Sequence, residues 1–143
     1  MLTLSRFMTN PYLYKNRKSP NMAHFNIIEC TPGTENNSGY FINFRVKSES
    51  SKSEYISSIL LETDDIITSH TKCKFKCSCA SFKYEFETIL HNHGGLIGNP
   101  GSTRLPKKRT GIFVCKHLIG CILILDHFNK IENIQRYIKT KGR

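Results

Sequence analysis

No apolar run in this chain is long enough to cross a bilayer: the longest, Leu118 to Leu125, falls far short of the ~20 residues a spanning helix needs. Met1 to Asn10 holds one basic residue and too short an apolar stretch for a secretory signal, so export through such a signal is not expected. Glycine, at nine residues, shows no collagen-like or low-complexity bias. There is no phosphate-cradling glycine loop, no H-E-x-x-H and no paired-carboxylate signature, which removes the commonest enzyme motifs. Acidic residues are scarce, 11 against 21 Lys and Arg, and the formal charge is +10.

What remains is a chain of 143 residues with 38% hydrophobic and 22% charged content, which suits one globular domain with a modest core. The positive charge is unevenly placed. Residues 1–24 carry four cations and no acids, whereas residues 25–65 carry seven acids against three cations. Residues 66–125 hold nine cations against two acids, so the excess gathers around the cysteines and at both ends. Clustered cations attract polyanions or acidic protein faces, although a solvated basic face that only confers solubility has the same composition.

Six cysteines could form three disulfides, but their spacing points to a metal. Cys77-Ser78-Cys79 and Cys115-Lys116-His117 are two short ligand pairs from distant parts of the chain. Zinc takes thiolate and imidazole ligands in a tetrahedron, and many structural sites are built from two such pairs. Residues i and i+2 share a face of an extended strand but not of a helix, so both pairs belong on extended or turn segments. The flanks agree. Thr71 to Cys77 alternates strictly, with Cys73, Phe75 and Cys77 on one face and Lys72, Lys74 and Lys76 on the other. Gly111 to Cys115 is a short β-prone run that enters the second pair.

The pattern C-x-C…C-x-H, here Cys77, Cys79, Cys115 and His117, resembles the SWIM-type zinc finger. The resemblance spans about residues 71–125, with Phe82 and Leu118 at positions where that family places apolar side chains. One departure is the 35-residue separation between Cys79 and Cys115, long for the family. The resemblance implies Zn2+ as cofactor and nucleic-acid or protein–protein contacts as the role. The stretch Cys77 to Tyr84, with Cys115 to Leu118, is also similar to small SWIM-like proteins of double-stranded DNA viruses, either tailed bacteriophages or large eukaryotic viruses. Abundant Ile, Asn and Lys without Trp suits an AT-rich genome. A virion or cytoplasmic location is the corresponding expectation.

The other candidates have plainer readings. Cys73 shares a strand face with Cys77 and could replace a ligand, but free cysteines commonly serve as small apolar core residues; Cys121 and Cys30 read as core too. His91 and His93 could hold a second metal beside Gly94-Gly95, although loop histidines are common. A Cys115–His117 nucleophile has no nameable acidic partner or oxyanion loop, and four protein ligands leave no open position for catalytic water. No small-molecule substrate is implied.

The expected fold is α+β. Residues 1–24 read as an extended basic arm, with prolines, tyrosines and cations in no period, and residues 25–143 as a single domain. Strands are expected at Phe25–Cys30, Tyr40–Lys47, Tyr55–Thr63 and Lys72–Cys77, in a small antiparallel sheet. One helix is expected over Ser81–His91, capped by Ser81 and stopped by Gly94-Gly95, and a second from His117 to about Ile138. The loop from His93 to Gly111 carries Arg104, Lys107, Lys108 and Arg109, which with Lys72, Lys74 and Lys76 are the candidate polyanion contacts. The leading expectation is a non-enzymatic structural or assembly protein that contacts other proteins; the alternative is a nucleic-acid binder.

Overall fold

The structure is a computed structural model that describes residues 2–8, 24–33, 39–47, 52–63, 65–101 and 114–141. It is α+β, as expected. Five antiparallel strands form one sheet: β1 (Leu2–Thr3), β2 (Phe25–Pro32), β3 (Tyr40–Lys47), β4 (Glu54–Leu61) and β5 (Lys72–Cys77), in the order β1-β5-β4-β3-β2. The helices are α1 (Leu4–Met8), α2 (Glu87–Asn92), α3 (Lys116–Phe128) and α4 (Ile131–Lys141), and a π-helical turn, Phe82–Phe86, leads into α2.

Period-two alternation decides which side of the sheet is buried. Ile42, Phe44 and Val46 of β3, Ser57, Ile59 and Leu61 of β4, and Cys73, Phe75 and Cys77 of β5 all turn to one face and are at most 2% exposed. Helix α3 lies against β4 and β5 on this face, and α4 packs beside β2. Gly120 of α3 makes room for Phe25 of β2: a Cβ there would stand 2.3 Å from the Phe25 ring. A bulge between Ile27 and Glu29 shifts the β2–β3 register and leaves Ile28 exposed. Across the opposite face, Asn43 donates to Glu29 at 2.8 Å and accepts from Ser58 at 2.6 Å, a polar row over three strands.

Three features differ from the sequence expectation. Residues 2–8, assigned to the arm, are part of the folded body: β1 pairs with β5, and Leu2, Leu4 and Phe7 are buried. The remainder of the arm, 9–23, lies outside the described residues. The long second helix is two helices. Asn129 adopts a left-handed conformation at φ 63°, which asparagine tolerates better than most residues, and Asn133 Nδ2 donates to the Phe128 carbonyl at 2.9 Å. The break is anchored because Ile67 N donates to the Asn129 carbonyl and Ile131 N to that of Asp65. Finally, Ser81 is already helical, at φ −55° and ψ −42°, and makes no side-chain cap bond. The expected helix stop does occur: Gly94 has φ 73°, and Gly95 N donates to the Leu90 carbonyl at 2.7 Å.

Candidate metal centre

Each ligand pair is delivered by the end of one element and the start of another. Cys77 closes β5, and Cys79 follows in the turn that becomes the helical segment. That turn is clamped to β4. The Ser78 N–H donates to the Ile56 carbonyl at 3.1 Å, and its hydroxyl accepts from the Ile56 N–H at 3.0 Å. Cys115 is the extended residue before α3, at φ −68° and ψ 163°, and His117 sits in the first helical turn. The junction between extended and helical backbone brings residues two apart to the same side. Residues 111–113 of the expected β-prone run lie outside the described residues.

The four side chains meet in the interior. One donor atom from each of Cys77, Cys79, Cys115 and His117 lies within 4.8 Å of the others, and all four residues are buried. Cys77 Sγ stands 4.0 Å from His117 Nδ1. Tetrahedral zinc with Zn–S near 2.3 Å and Zn–N near 2.0–2.1 Å separates its donors by roughly 3.5–3.8 Å, so a small inward movement closes the shell. All six cysteines are free thiols, which leaves the three sulfurs available as ligands. The cluster could hold a metal ion.

Its surroundings suit that task. The Phe82 N–H donates to Cys79 Sγ at 3.4 Å, a bond the π-helical turn places directly over the metal knuckle. Ser57, fully buried on β4, brings its hydroxyl within 3.2 Å of Cys77 Sγ. The Tyr55 ring lies against the His117 imidazole, centroids 4.8 Å apart and tilted by 33°. His117 Nδ1 faces the sulfurs, and its Nε2 is buried with no hydrogen-bond partner. The protons in the cluster are unevenly shared. Hydrogen bonds from Cys115, and then from Cys77, hold the Cys79 thiol far below its ordinary value. The Cys77 and Cys79 sulfurs push Cys115 far above. At His117 burial works against the imidazolium, but the Cys77 and Cys79 sulfurs outweigh it and raise the imidazole to about 9. To bind a divalent ion the cluster must release the proton of the His117 imidazolium and those of its remaining thiols.

The remaining candidates separate clearly. Cys73 is outside the cluster; it packs in the core with Sγ 3.6 Å from the Leu2 carbonyl. Burial raises the half-buried Cys30 thiol to about 11 and pushes the Cys73 and Cys121 thiols well up, which marks all three as inert packing groups. His91 and His93 are exposed, and among the described residues only the Cys77–His117 cluster has metal-ligand geometry. Lys72 and Lys76 are exposed and Lys74 half-buried, all on the sheet face away from the cluster. Arg104, Lys107, Lys108 and Arg109 lie outside the described residues. Sequence reasoning missed Ser57 and Ser78, because a serine in a strand or a turn has no signature until its partner is known. No protein-family model, curated protein or solved structure matches the chain.

Proposed function

We propose that the chain is a non-enzymatic zinc protein of the SWIM type, whose metal is structural and whose role is protein–protein contact within a larger assembly, a virus particle among the candidates. The observation that carries this reading is the buried tetrad. Three thiols and one imidazole, all from this chain, would complete the shell of a tetrahedral zinc ion, which would then have no open position for a substrate or an activated water. Contact with partners is supported by large apolar side chains left at the surface, Ile56 at 40%, Ile66 at 52% and Tyr84 at 78% exposed. Ile56 is next to the serine clamp of the knuckle, so the metal fixes the surface on which it is presented.

Ile56→Glu and Tyr84→Ala are the direct tests. Each is expected to keep full metal content and wild-type melting, and at least one to lower incorporation into the native assembly about tenfold. Wild-type incorporation by both would remove the assembly reading.

A second reading, nucleic-acid binding, is favoured by one observation: Lys72, Lys74 and Lys76 project from consecutive outward positions of β5. Three phosphate contacts would make DNA affinity fall roughly 40-fold between about 50 and 200 mM salt, and replacing the three lysines with alanine would abolish that dependence. Binding that is absent, or insensitive to salt, counts against this reading.

A further inference from the structure

We infer that the cleft between the sheet margin and α4 is a binding site for a phosphorylated ligand of nucleotide size. It is independent of the metal tetrad and goes beyond the function proposed above. The cleft encloses about 400 Å3, within the ~300–1,000 Å3 range of small-molecule sites. Its strand side is formed by Asn26, Arg45, Lys47 and Glu54, with His24 at one end, and its helix side by Tyr137 and Lys141. The register explains the convergence: Asn26 stands opposite Arg45 across β2–β3, and Lys47 opposite Glu54 across β3–β4.

Three features define the ligand. Among the described residues that line it are three permanent cations, Arg45, Lys47 and Lys141, and a single carboxylate, Glu54. The Arg45 Nε–Glu54 Oε2 separation is 3.8 Å with both side chains about half exposed, a weak pair that leaves the outer guanidinium nitrogens for another anion. A cation at a helix C-terminus complements the helix dipole in any protein, so Lys141 alone would mean little; Arg45 and Lys47 have no such explanation. Asn26, in the cleft lining, has its Oδ1 buried without a protein hydrogen-bond partner, an acceptor that an N–H or O–H donor on an occupant would satisfy. Tyr137 supplies an aromatic wall, held edge-on by Phe128 at 5.4 Å between centroids, with Lys141 Nζ 5.7 Å from its own centroid. Negative charge, a donor and a flat ring together describe a nucleoside monophosphate. It would set its phosphate on Arg45 and Lys47 and a sugar or base donor on Asn26, either as a free nucleotide or as one unit of a single strand.

The test uses the metal-loaded full chain, titrated with adenosine and uridine 5′-monophosphates, inorganic phosphate and a short single-stranded oligonucleotide, and followed by amide chemical shifts. Saturable shifts at Asn26, Arg45 and Tyr137 are expected with a mononucleotide, and weaker ones with phosphate alone. The Arg45→Ala/Lys47→Ala variant should bind at least tenfold more weakly with unchanged melting, whereas Glu54→Gln should bind more tightly. Alanine at Lys72, Lys74 and Lys76 should leave the mononucleotide affinity unchanged. Tighter saturation of the same amides by the oligonucleotide identifies a strand as the source and still supports the cleft. Unmoved cleft amides, or equal affinity in the Arg45→Ala/Lys47→Ala variant, would overturn the proposal.

Discussion

The Cys115→Ser protein is expected to purify without stoichiometric zinc and to melt at a lower temperature and less cooperatively, and a strong chelator should bring the wild-type chain to the same state. The reason is one of scale. Zinc binding in small structural sites contributes on the order of 10–16 kcal/mol at neutral pH, whereas the whole stability of a domain is only ~5–15 kcal/mol. Here the ion would join the end of β5 to the start of α3, two elements that carry much of the core: Phe75 and Cys77 on one side, Leu118, Cys121, Ile122 and Leu125 on the other. Without the metal, three thiols and an imidazole must stay buried together with imperfect hydrogen bonds, the situation in which polar groups cost most. Cys73→Ser separates ligand from core, because it should lower stability yet keep one zinc per chain. Full zinc occupancy in the Cys115→Ser protein would end the metal assignment.

The same experiment has a pH signature that differs between the two states. In the metal-free chain the His117 imidazole is raised from 6.5 to about 9. Its contribution to stability is therefore complete below about 6.5 and is lost as pH rises through about 9. In the loaded chain protons compete with the metal for sulfur and nitrogen, so stability falls on acidification instead. Across the same window the depressed Cys79 thiol opposes that loss, so melting temperature should change little between about 6.5 and 9 with chelator and should fall on acidification without it; equal slopes in the two would show that no ion sits on the tetrad.

That Cys77, Cys79, Cys115 and His117 come together was legible because it depends on residue type and close spacing alone. Two doublets, each with a single intervening residue, restrict the backbone enough to imply a shared site, and the alternating flank of β5 fixed which way Cys77 points. The sheet face was legible for the same reason: Cys73, Phe75 and Cys77 are buried, and Lys72 and Lys76 are exposed. What could not be read depends on partners remote in sequence. The register that stacks Ser57 beside Cys77, and the clamp between Ser78 and Ile56, exist only once β4 and β5 have paired. The break at Asn129 is similar. A helical apolar period runs from Leu118 to Ile138 without proline or glycine after Gly120, so nothing local signals a stop. The interruption is specified instead by the segment 65–67, where Ile67 N donates to the Asn129 carbonyl and the Asp65 carbonyl accepts from Ile131 N. The cleft beside α4 was invisible for the same reason, since Arg45, Asn26 and Tyr137 are far apart in the chain and belong to no motif.

Phe7→Ala is expected to cost about 3–5 kcal/mol, the usual loss for a buried phenylalanine that leaves a cavity, and to lower the melting temperature by roughly 10–20 °C. Composition placed this residue in a solvated arm, where the same change would cost nothing. The structure gives the opposite environment. Leu2 and Thr3 add a short edge strand to β5 through Cys73 and Lys72, and Leu4 N and Ser5 N donate to the carbonyls of Thr71 and Ser69. These bonds turn Phe7 into the core, where it is 1% exposed and meets Phe75 edge to face, with centroids 4.8 Å apart and an interplanar angle of 75°. Such a pair adds about 0.5–1.5 kcal/mol beyond the area it buries. Leu2 at 5% and Leu4 at 1% exposure belong to the same patch, so removing residues 1–8 should be worse than the single substitution. Tyr84→Ala, at a side chain left 78% in solvent, is the matched control and should change melting little. Zinc content at 25 °C should survive Phe7→Ala, because α1 supplies none of the four clustered side chains, which distinguishes a damaged core from a damaged metal centre. A Phe7→Ala protein that melts within about 2 °C of wild type would return the first eight residues to the arm.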